Sequence, residues 1–175
     1  APPQKIENAV EDIGIGFLYA PRMHPAMRYA AKPRRELGIR TVFNVLGPLT
    51  NPASADCHLM GVYHGELVDK FPNVLRELGV KRALVVHGED GIDEISTTGD
   101  TYIGELKDGE IKHYRINPKD FDVPPARLVD IGDLSPDQSA KLTLKILKGE
   151  ERGPRRDIVV LNAGAGIYAA GGAES

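Results

Sequence analysis

A strand–helix–strand pattern within residues 58–86 constrains the fold more than any other feature of this sequence. Residues 58–63 and 81–86 are short apolar runs typical of strands, and 66–78 between them has the spacing of an amphipathic helix closed by Gly79. Strands joined through a helix in this way pair in parallel with a right-handed connection. The pattern therefore predicts an α/β fold in which both strands end at the same edge of one sheet.

Directly after the second of these strands, the sequence carries four carboxylates within six residues: Glu89, Asp90, Asp93 and Glu94. Functional groups of open α/β sheets gather where strands end, and Gly88 lets the chain leave the strand in a tight conformation. Magnesium usually takes one or two carboxylates and completes its shell with water and substrate phosphates. Asp93 and Glu94 are therefore candidate Mg²⁺ ligands, although a solvated acidic turn is equally compatible with the residues alone.

Length and composition narrow the class of protein. A chain of 175 residues is long enough for one well-buried α/β domain and short for two. A net charge of −3 gives no basic field for nucleic acid, and no apolar run reaches the ~18 residues of a membrane helix. The single cysteine, Cys57, cannot form an internal disulfide, so a reducing cytoplasm is the expected setting. Because the sequence opens with Ala1-Pro2-Pro3 and no methionine, we expect a fragment of a longer protein.

The first forty residues alternate predicted helices with connecting segments. Residues 6–12 have helical spacing, and 14–19 form a short apolar run typical of a buried strand. Residues 20–25 contain two prolines and predict a loop. A helix is predicted over 26–37, with Gly38 as its stop.

Two later segments, 41–49 and 157–172, fit both helix and strand. In the second, an apolar start favours a strand while the alanines favour a helix. Between the two segments, 101–116 alternates around a central Asp-Gly and predicts a hairpin. Ser135 followed by proline predicts the N-cap of a helix that extends to about residue 147.

Four longer segments occur in order along the sequence: GFLYAPRMHPAM at 16–27, GIRTVFN at 38–44, LGPLTNP at 46–52 and HGEDGIDE at 87–94. Together they resemble the anthranilate phosphoribosyltransferase family. The resemblance runs from the first predicted strand to Asn162, which is nearly the whole chain. Four motifs in sequence are more specific than any one of them.

The resemblance implies a fold, namely the catalytic α/β domain of the nucleoside phosphorylase and phosphoribosyltransferase type. Its sheet is parallel-dominated and flanked by helices. Three predicted strands should be neighbours in it: 15–19, 58–63 and 82–86. The hairpin at 101–116 should lie at the periphery.

The resemblance also implies an activity. Enzymes of this family transfer phosphoribose from 5-phosphoribosyl-1-diphosphate to anthranilate, which gives phosphoribosylanthranilate and diphosphate in tryptophan biosynthesis. They use Mg²⁺ and usually form homodimers. The expected partners are therefore the two small-molecule substrates and a second copy of the complete enzyme, with no nucleic acid and no membrane.

Site residues follow from the matching positions of the motifs. Asp93 and Glu94 match the acidic pair that holds Mg²⁺ on the diphosphate, and Arg34 matches the arginine that contacts anthranilate. Other positions match the lining of the path of the aromatic acceptor: Ala20, Pro21, His24 and Met27. No catalytic general base is implied, because the aryl amine is already a neutral nucleophile at pH 7.

Two family segments have no counterpart in this chain, the glycine-rich diphosphate loop and a Lys-His-Gly-Asn motif. The small helical domain that precedes them is missing as well. Residues 1–175 therefore resemble one part of the catalytic α/β domain. We expect this chain alone to be inactive.

Two other functions compete with this interpretation. Class II pyrimidine nucleoside phosphorylases of the same superfamily use phosphate and a nucleoside, but the loop at 24–27 and Arg34 favour an acidic aromatic acceptor. Non-catalytic relatives of the fold bind nucleic acid and should carry an extended basic surface. The net charge of −3 and the intact acidic pair argue against that role.

Overall fold

The computed structural model of the chain describes residues 2–23, 28–39, 46–47 and 49–173. These residues form two compact units, Ala1–Ser54 and Ala55–Ser175. In the described part of the chain, no helix combines the length and the hydropathy that crossing a membrane requires.

The first unit contains three helices: α1 (Pro3–Ile13), α2 (Ala20–Met23) and α3 (Arg28–Leu37). Helix α1 ends at Gly14, whose left-handed φ of 77° lets its N–H bond to the carbonyl of Val10. The helices predicted over 6–12 and 26–37 are confirmed where the structure describes them. The loop predicted over 20–25 begins instead with the helical turn of α2.

The strand predicted over 14–19 is wrong. Residues 15–19 have no regular secondary structure, and the side chains of Ile15 and Phe17 are 71% and 81% exposed. A strand needs a neighbouring ladder, and none of the described residues pairs with this segment. Gly16 packs against α1 instead, since a Cβ there would lie 2.7 Å from Cγ2 of Val10. Gly16 therefore lies close to α1, whereas the apolar side chains on either side of it stay exposed.

The second unit contains a four-stranded sheet with the order β1-β2-β3-β4. Its strands are β1 (Cys57–Gly61), β2 (Arg82–Gly88), β3 (Thr101–Lys107) and β4 (Glu110–Ile116). Helix α4 (Glu66–Glu77) connects β1 to β2, which pair in parallel with Leu59 opposite Leu84. The predicted strand–helix–strand unit and the α/β class are thus confirmed.

The predicted hairpin is also confirmed, and it turns through Asp108 and Gly109 at φ of 53° and 79°. Two consecutive positive φ values suit a tight two-residue hairpin turn. Strand β3 pairs antiparallel with β2, which leaves β4 at one edge of the sheet. In the described residues the sheet is therefore mixed, with one parallel and two antiparallel pairs, rather than parallel-dominated.

Helices cover both faces of this sheet, as predicted. On one face α4 buries Val68 and Leu75, and Gly104 of β3 lets it approach closely, since a Cβ there would lie 2.5 Å from the Val68 carbonyl oxygen. On the other face α7 (Pro154–Ala169) packs against a core that includes Leu84 and Ile103. Alternate residues of β2 therefore face different helices.

The connection between β4 and α7 carries a 3₁₀ helix (Pro118–Phe121), α5 (Leu128–Ile131) and α6 (Pro136–Leu147). The predicted N-cap of α6 is confirmed, because the Ser135 hydroxyl accepts a bond from the backbone N–H of Gln138. The ambiguous segment 157–172 is helical as far as the end of α7. The segment 41–49 lies largely outside the described residues.

Candidate metal-binding loop

The loop of residues 89–100, here called the acidic loop, leaves the carboxyl end of β2 and returns to the sheet as β3. It passes directly over the end of β1. A Cβ on Gly61 would lie 1.6 Å from the backbone carbonyl oxygen of Asp93. The absence of a side chain at Gly61 therefore allows the acidic loop to rest on the end of the neighbouring parallel strand.

Two of the four carboxylates within residues 89–94 are engaged in holding the acidic loop. Asp90 accepts hydrogen bonds from the hydroxyls of Ser96 and Thr98, and the backbone N–H of Ile92 donates to its other oxygen at 3.3 Å. Glu89 accepts a hydrogen bond from Nε of Arg115 at 2.6 Å. These carboxylates stabilise the loop and are poor candidates for metal ligands.

The other two carboxylates, Asp93 and Glu94, are exposed. None of the described residues donates a hydrogen bond to either side chain or forms an ion pair with it. Although the Glu94 side chain is exposed, neighbouring atoms shield part of it from water. This partial desolvation, and then the adjacent negative charge of Asp93, raises the pKa of the Glu94 carboxyl above its usual value. The two adjacent carboxylates thus repel each other, and a bound cation would reduce that repulsion.

This pair fits a magnesium ion. Mg²⁺ takes one or two carboxylates and leaves its remaining positions to water and phosphate oxygens. A site ligated entirely by protein would need more groups, and no cluster of three or more His, Cys, Asp or Glu side chains suited to a metal occurs in the described part of the chain. The donor set therefore suits a metal shared with a phosphorylated substrate better than a structural metal.

A residue that sequence reasoning missed adjoins the pair. Asn162, on α7, accepts a hydrogen bond from the backbone N–H of Ile95 at 2.9 Å and donates one to the Ile95 carbonyl at 2.9 Å. Asparagine inside a helix is a weak helix former, which is the only signal the sequence offers. The distance of 67 residues between the partners explains why no local pattern revealed the contact.

The predicted acceptor residues stay predictions. His24 and Met27 lie outside the described residues, and the side chains of Arg34, Ala20 and Pro21 lie outside what the structure describes, although their backbones belong to α3 and α2. The acidic pair is the part of the predicted site that the structure describes fully.

A cavity of about 640 Å³ lies elsewhere in the second unit, between α7 and the β3–β4 hairpin. Its walls are mainly apolar and include Ile103, Ile116 and Leu161. Neither carboxylate of the acidic pair lines it. The cavity is therefore not part of the candidate metal site, despite its size.

Comparison with known proteins gives one family. The whole chain, residues 1–175, matches the glycosyl transferase family, a/b domain. It is 52% identical over 172 residues to the anthranilate phosphoribosyltransferase of Desulfosudis oleivorans, an alignment that covers 98% of this chain and 51% of that relative. The chain therefore spans about half the length of the curated relatives it matches.

Solved structures give the same similarity. The crystal structure of anthranilate phosphoribosyltransferase (TrpD) from Thermus thermophilus is similar with a TM-score of 0.92 and 45% identity, over 100% of this chain and 51% of that one. The enzyme from Saccharomyces cerevisiae in complex with PRPP and Mg is similar with a TM-score of 0.84 and 27% identity, over 98% of this chain and 48% of that one. Both similarities extend across the two units described above.

Proposed function

Because the chain belongs to the glycosyl transferase family, a/b domain, we propose that its protein transfers phosphoribose from 5-phosphoribosyl-1-diphosphate to anthranilate. The products are phosphoribosylanthranilate and diphosphate, and the reaction belongs to tryptophan biosynthesis. The observation that carries the proposal is the exposed pair Asp93 and Glu94, which follows a strand end and which no described residue neutralises. The chain that holds this pair is 52% identical to an anthranilate phosphoribosyltransferase.

Asp93 and Glu94 would hold the magnesium ion through their carboxylate oxygens. A bound Mg²⁺ offsets the negative charge that develops on the departing diphosphate. The Asp90 hydrogen bonds keep the acidic loop folded, so that the pair is presented at the end of the sheet. The Saccharomyces cerevisiae relative was solved in complex with PRPP and Mg, which supports a phosphoribosyl donor and Mg²⁺ as ligands of the full-length protein.

Arg34 would bind the carboxylate of anthranilate, because a guanidinium is complementary to a carboxylate in charge and planar geometry. Ala20, Pro21, His24 and Met27 would line the path of the aromatic ring. The amine of anthranilate is neutral at pH 7 and needs no general base. Holding it against the anomeric carbon converts a bimolecular encounter into an oriented one, which supplies much of the rate enhancement.

The same proposal includes a homodimer of the full-length protein and a cytoplasmic setting. The resemblance to the family carries the first, and the single unpaired cysteine, Cys57, is compatible with a reducing compartment. Sedimentation of the full-length protein tests the dimer.

A fluorescence assay tests the activity. The full-length protein that carries this sequence should consume anthranilate only when both 5-phosphoribosyl-1-diphosphate and Mg²⁺ are present, and EDTA should stop it. Phosphorolysis of a pyrimidine nucleoside without turnover of anthranilate would overturn the proposal in favour of a nucleoside phosphorylase. Retention on DNA that weakens with salt, again without turnover, would indicate a nucleic-acid-binding relative.

A pair of glutamate variants tests the metal ligands. Glu94→Gln should raise the Mg²⁺ concentration needed for half-maximal activity at least tenfold, because a neutral amide is a far weaker ligand than a carboxylate. Its unfolding free energy should change by less than about 0.5 kcal/mol, as for most exposed substitutions. Glu77→Gln, at an exposed position on the last turn of α4, is the matched control and should leave the Mg²⁺ requirement unchanged. A clearly lower unfolding free energy with an unchanged Mg²⁺ requirement would show that Glu94 is structural.

A further inference from the structure

We propose that Asn162 is a positioning residue for the metal, because its side chain fixes the peptide group that joins Glu94 to Ile95. The inference rests on the proposed function, in that it takes the acidic pair to be the metal site. It adds a residue of α7 to a site that otherwise consists of the acidic loop.

The Asn162 amide makes three hydrogen bonds. Its Oδ1 accepts from the N–H of Ile95 at 2.9 Å, while its Nδ2 donates to the carbonyls of Ile95 and Ile158, both at 2.9 Å. Both protons of the amide nitrogen are therefore used, and the oxygen faces a donor. A flipped amide would place its NH₂ group against the Ile95 N–H, so the arrangement specifies a single orientation.

The first of these bonds acts on Glu94 directly. The N–H of Ile95 and the carbonyl of Glu94 belong to the same planar peptide unit, so fixing one fixes the other. On the far side the Ile95 side chain is 2% exposed in the core beneath α7. The backbone that carries the Glu94 carboxylate is thus held from its C-terminal side.

The opposite side of the pair is held by the sheet, where the backbone of Asp93 rests on Gly61 of β1. The two ligand residues therefore lie between a strand contact and a helix contact. Binding groups supported in this way lose little conformational freedom when the ligand arrives, which increases affinity. If the Asn162 side chain stabilised only α7, its bond to the Ile158 carbonyl would be enough. It also bonds to both the N–H and the carbonyl of Ile95, which lie in the acidic loop.

Mn²⁺ binding to the full-length protein, followed by electron paramagnetic resonance, tests the inference. Asn162→Ala should weaken Mn²⁺ binding about tenfold, and Asn73→Ala, at an exposed position on α4, should leave it unchanged. Hydrogen exchange of the Ile95 amide gives a second readout that needs no metal. Its protection should fall at least tenfold in Asn162→Ala and stay the same in the control.

A second variant keeps the test decisive if Asn162→Ala does not fold. Asn162→Asp has nearly the same shape and can still accept from the Ile95 N–H, but it cannot donate to the two carbonyls. It should also weaken Mn²⁺ binding, whereas unchanged affinity in the folded variant would overturn the inference.

Glu94→Gln separates the two proposals. If Glu94→Gln abolishes Mn²⁺ binding and neither Asn162 variant alters it, the metal site stands and the positioning role fails. If Glu94→Gln has no effect, the proposed metal site itself fails.

Discussion

Neighbouring donors divide the four carboxylates of residues 89–94 into two functional classes. Asp90 and Glu89 accept hydrogen bonds from other side chains, whereas no described residue contacts Asp93 or Glu94 in this way. Carboxylates with bound donors hold the loop in shape, and exposed carboxylates remain available to a cation. The chemistry of each group thus depends on its surroundings rather than on its residue type.

Acid should weaken metal binding at a higher pH than it would for an ordinary glutamate. Partial desolvation and the charge of Asp93 raise the pKa of Glu94, and only the ionised carboxylate is an effective ligand. Mn²⁺ affinity should therefore fall as the pH decreases through this raised pKa. In Asp93→Asn the partial desolvation remains but the charge is gone, so the pKa of Glu94 should decrease without reaching its usual value. Side-chain ¹³C shifts of Glu94 measure the change, and an equal pKa in both proteins would contradict the assigned cause.

The raised pKa of Glu94 also affects folding stability, and in the opposite direction: low pH weakens metal binding but favours the folded state. The folded protein holds the Glu94 proton more tightly than the unfolded chain does, so this contribution is present at low pH and is lost as the pH rises through the folded-state pKa. A cation bound to the ionised pair would offset that loss. The metal-free protein should therefore show the decrease more clearly than the Mg²⁺-loaded one.

Arg34→Ala in the full-length protein should raise the KM for anthranilate and leave that for the phosphoribosyl donor nearly unchanged. The charge-assisted contact proposed for Arg34 would be worth about 1.5–3 kcal/mol, which corresponds to roughly tenfold or more in the KM for anthranilate. Arg34→Lys should recover only part of it, because a lysine cannot form the two parallel bonds of a guanidinium. Arg35→Ala, at the adjacent exposed position of α3, is the control. Equal effects on both substrates would indicate a role in the fold instead.

At the level of secondary structure, the approach of the acidic loop to β1 is the most restrictive contact. Gly61→Ala would place a methyl group 1.6 Å from the carbonyl oxygen of Asp93, so the backbone of the acidic loop would have to move. Overpacking of this kind costs about 1–3 kcal/mol. We expect lower stability in urea and weaker Mn²⁺ binding. Gly65→Ala, whose new Cβ would meet only the His87 ring at 3.7 Å, is the control, and equal behaviour of the two variants would refute the contact.

Helix α7 shows how packing outweighs local preference. It is helical through Gly164 and Gly166, although each glycine weakens a helix interior by up to about 1 kcal/mol relative to alanine. The helix is stabilised by its contacts with the sheet, where Ala169 is 4% exposed and Leu161 packs on the core. These contacts settle the choice between helix and strand that the sequence pattern left open.

For the molecule as a whole, we expect this chain by itself to bind metal but not to transfer phosphoribose. Its sequence offers the acidic pair but no glycine-rich loop whose amides could receive a diphosphate. A donor with several negative charges would be repelled by exposed carboxylates unless a metal were already bound. Anthranilate fluorescence should stay constant when the chain is mixed with donor and Mg²⁺, while the full-length protein serves as the positive control. Turnover by the chain alone would show that the donor site lies within these residues.

Local patterns in the sequence were sufficient for much of the fold. Period-two and helical spacing, an Asp-Gly turn and a Ser-Pro cap predicted β1, α4, β2, the hairpin and α6, since each depends on residues close in the chain. The strand expected over 14–19 was wrong because strand formation depends on a partner that the sequence of the segment does not contain. Local spacing cannot specify such distant pairing.

In the acidic loop, too, some features depend on residues close in the chain and others on distant ones. Its composition and its place after a strand identified Asp93 and Glu94 as candidate ligands among four nearby carboxylates, and the resemblance to a family pointed to the same pair. Which carboxylates are engaged depended on donors elsewhere in the chain, such as Arg115, 26 residues from its partner Glu89. The role inferred for Asn162 depends on a helix reaching an acidic loop 67 residues away. Hydrogen bonds between distant segments exist only once the chain has folded, and so they were beyond any local pattern.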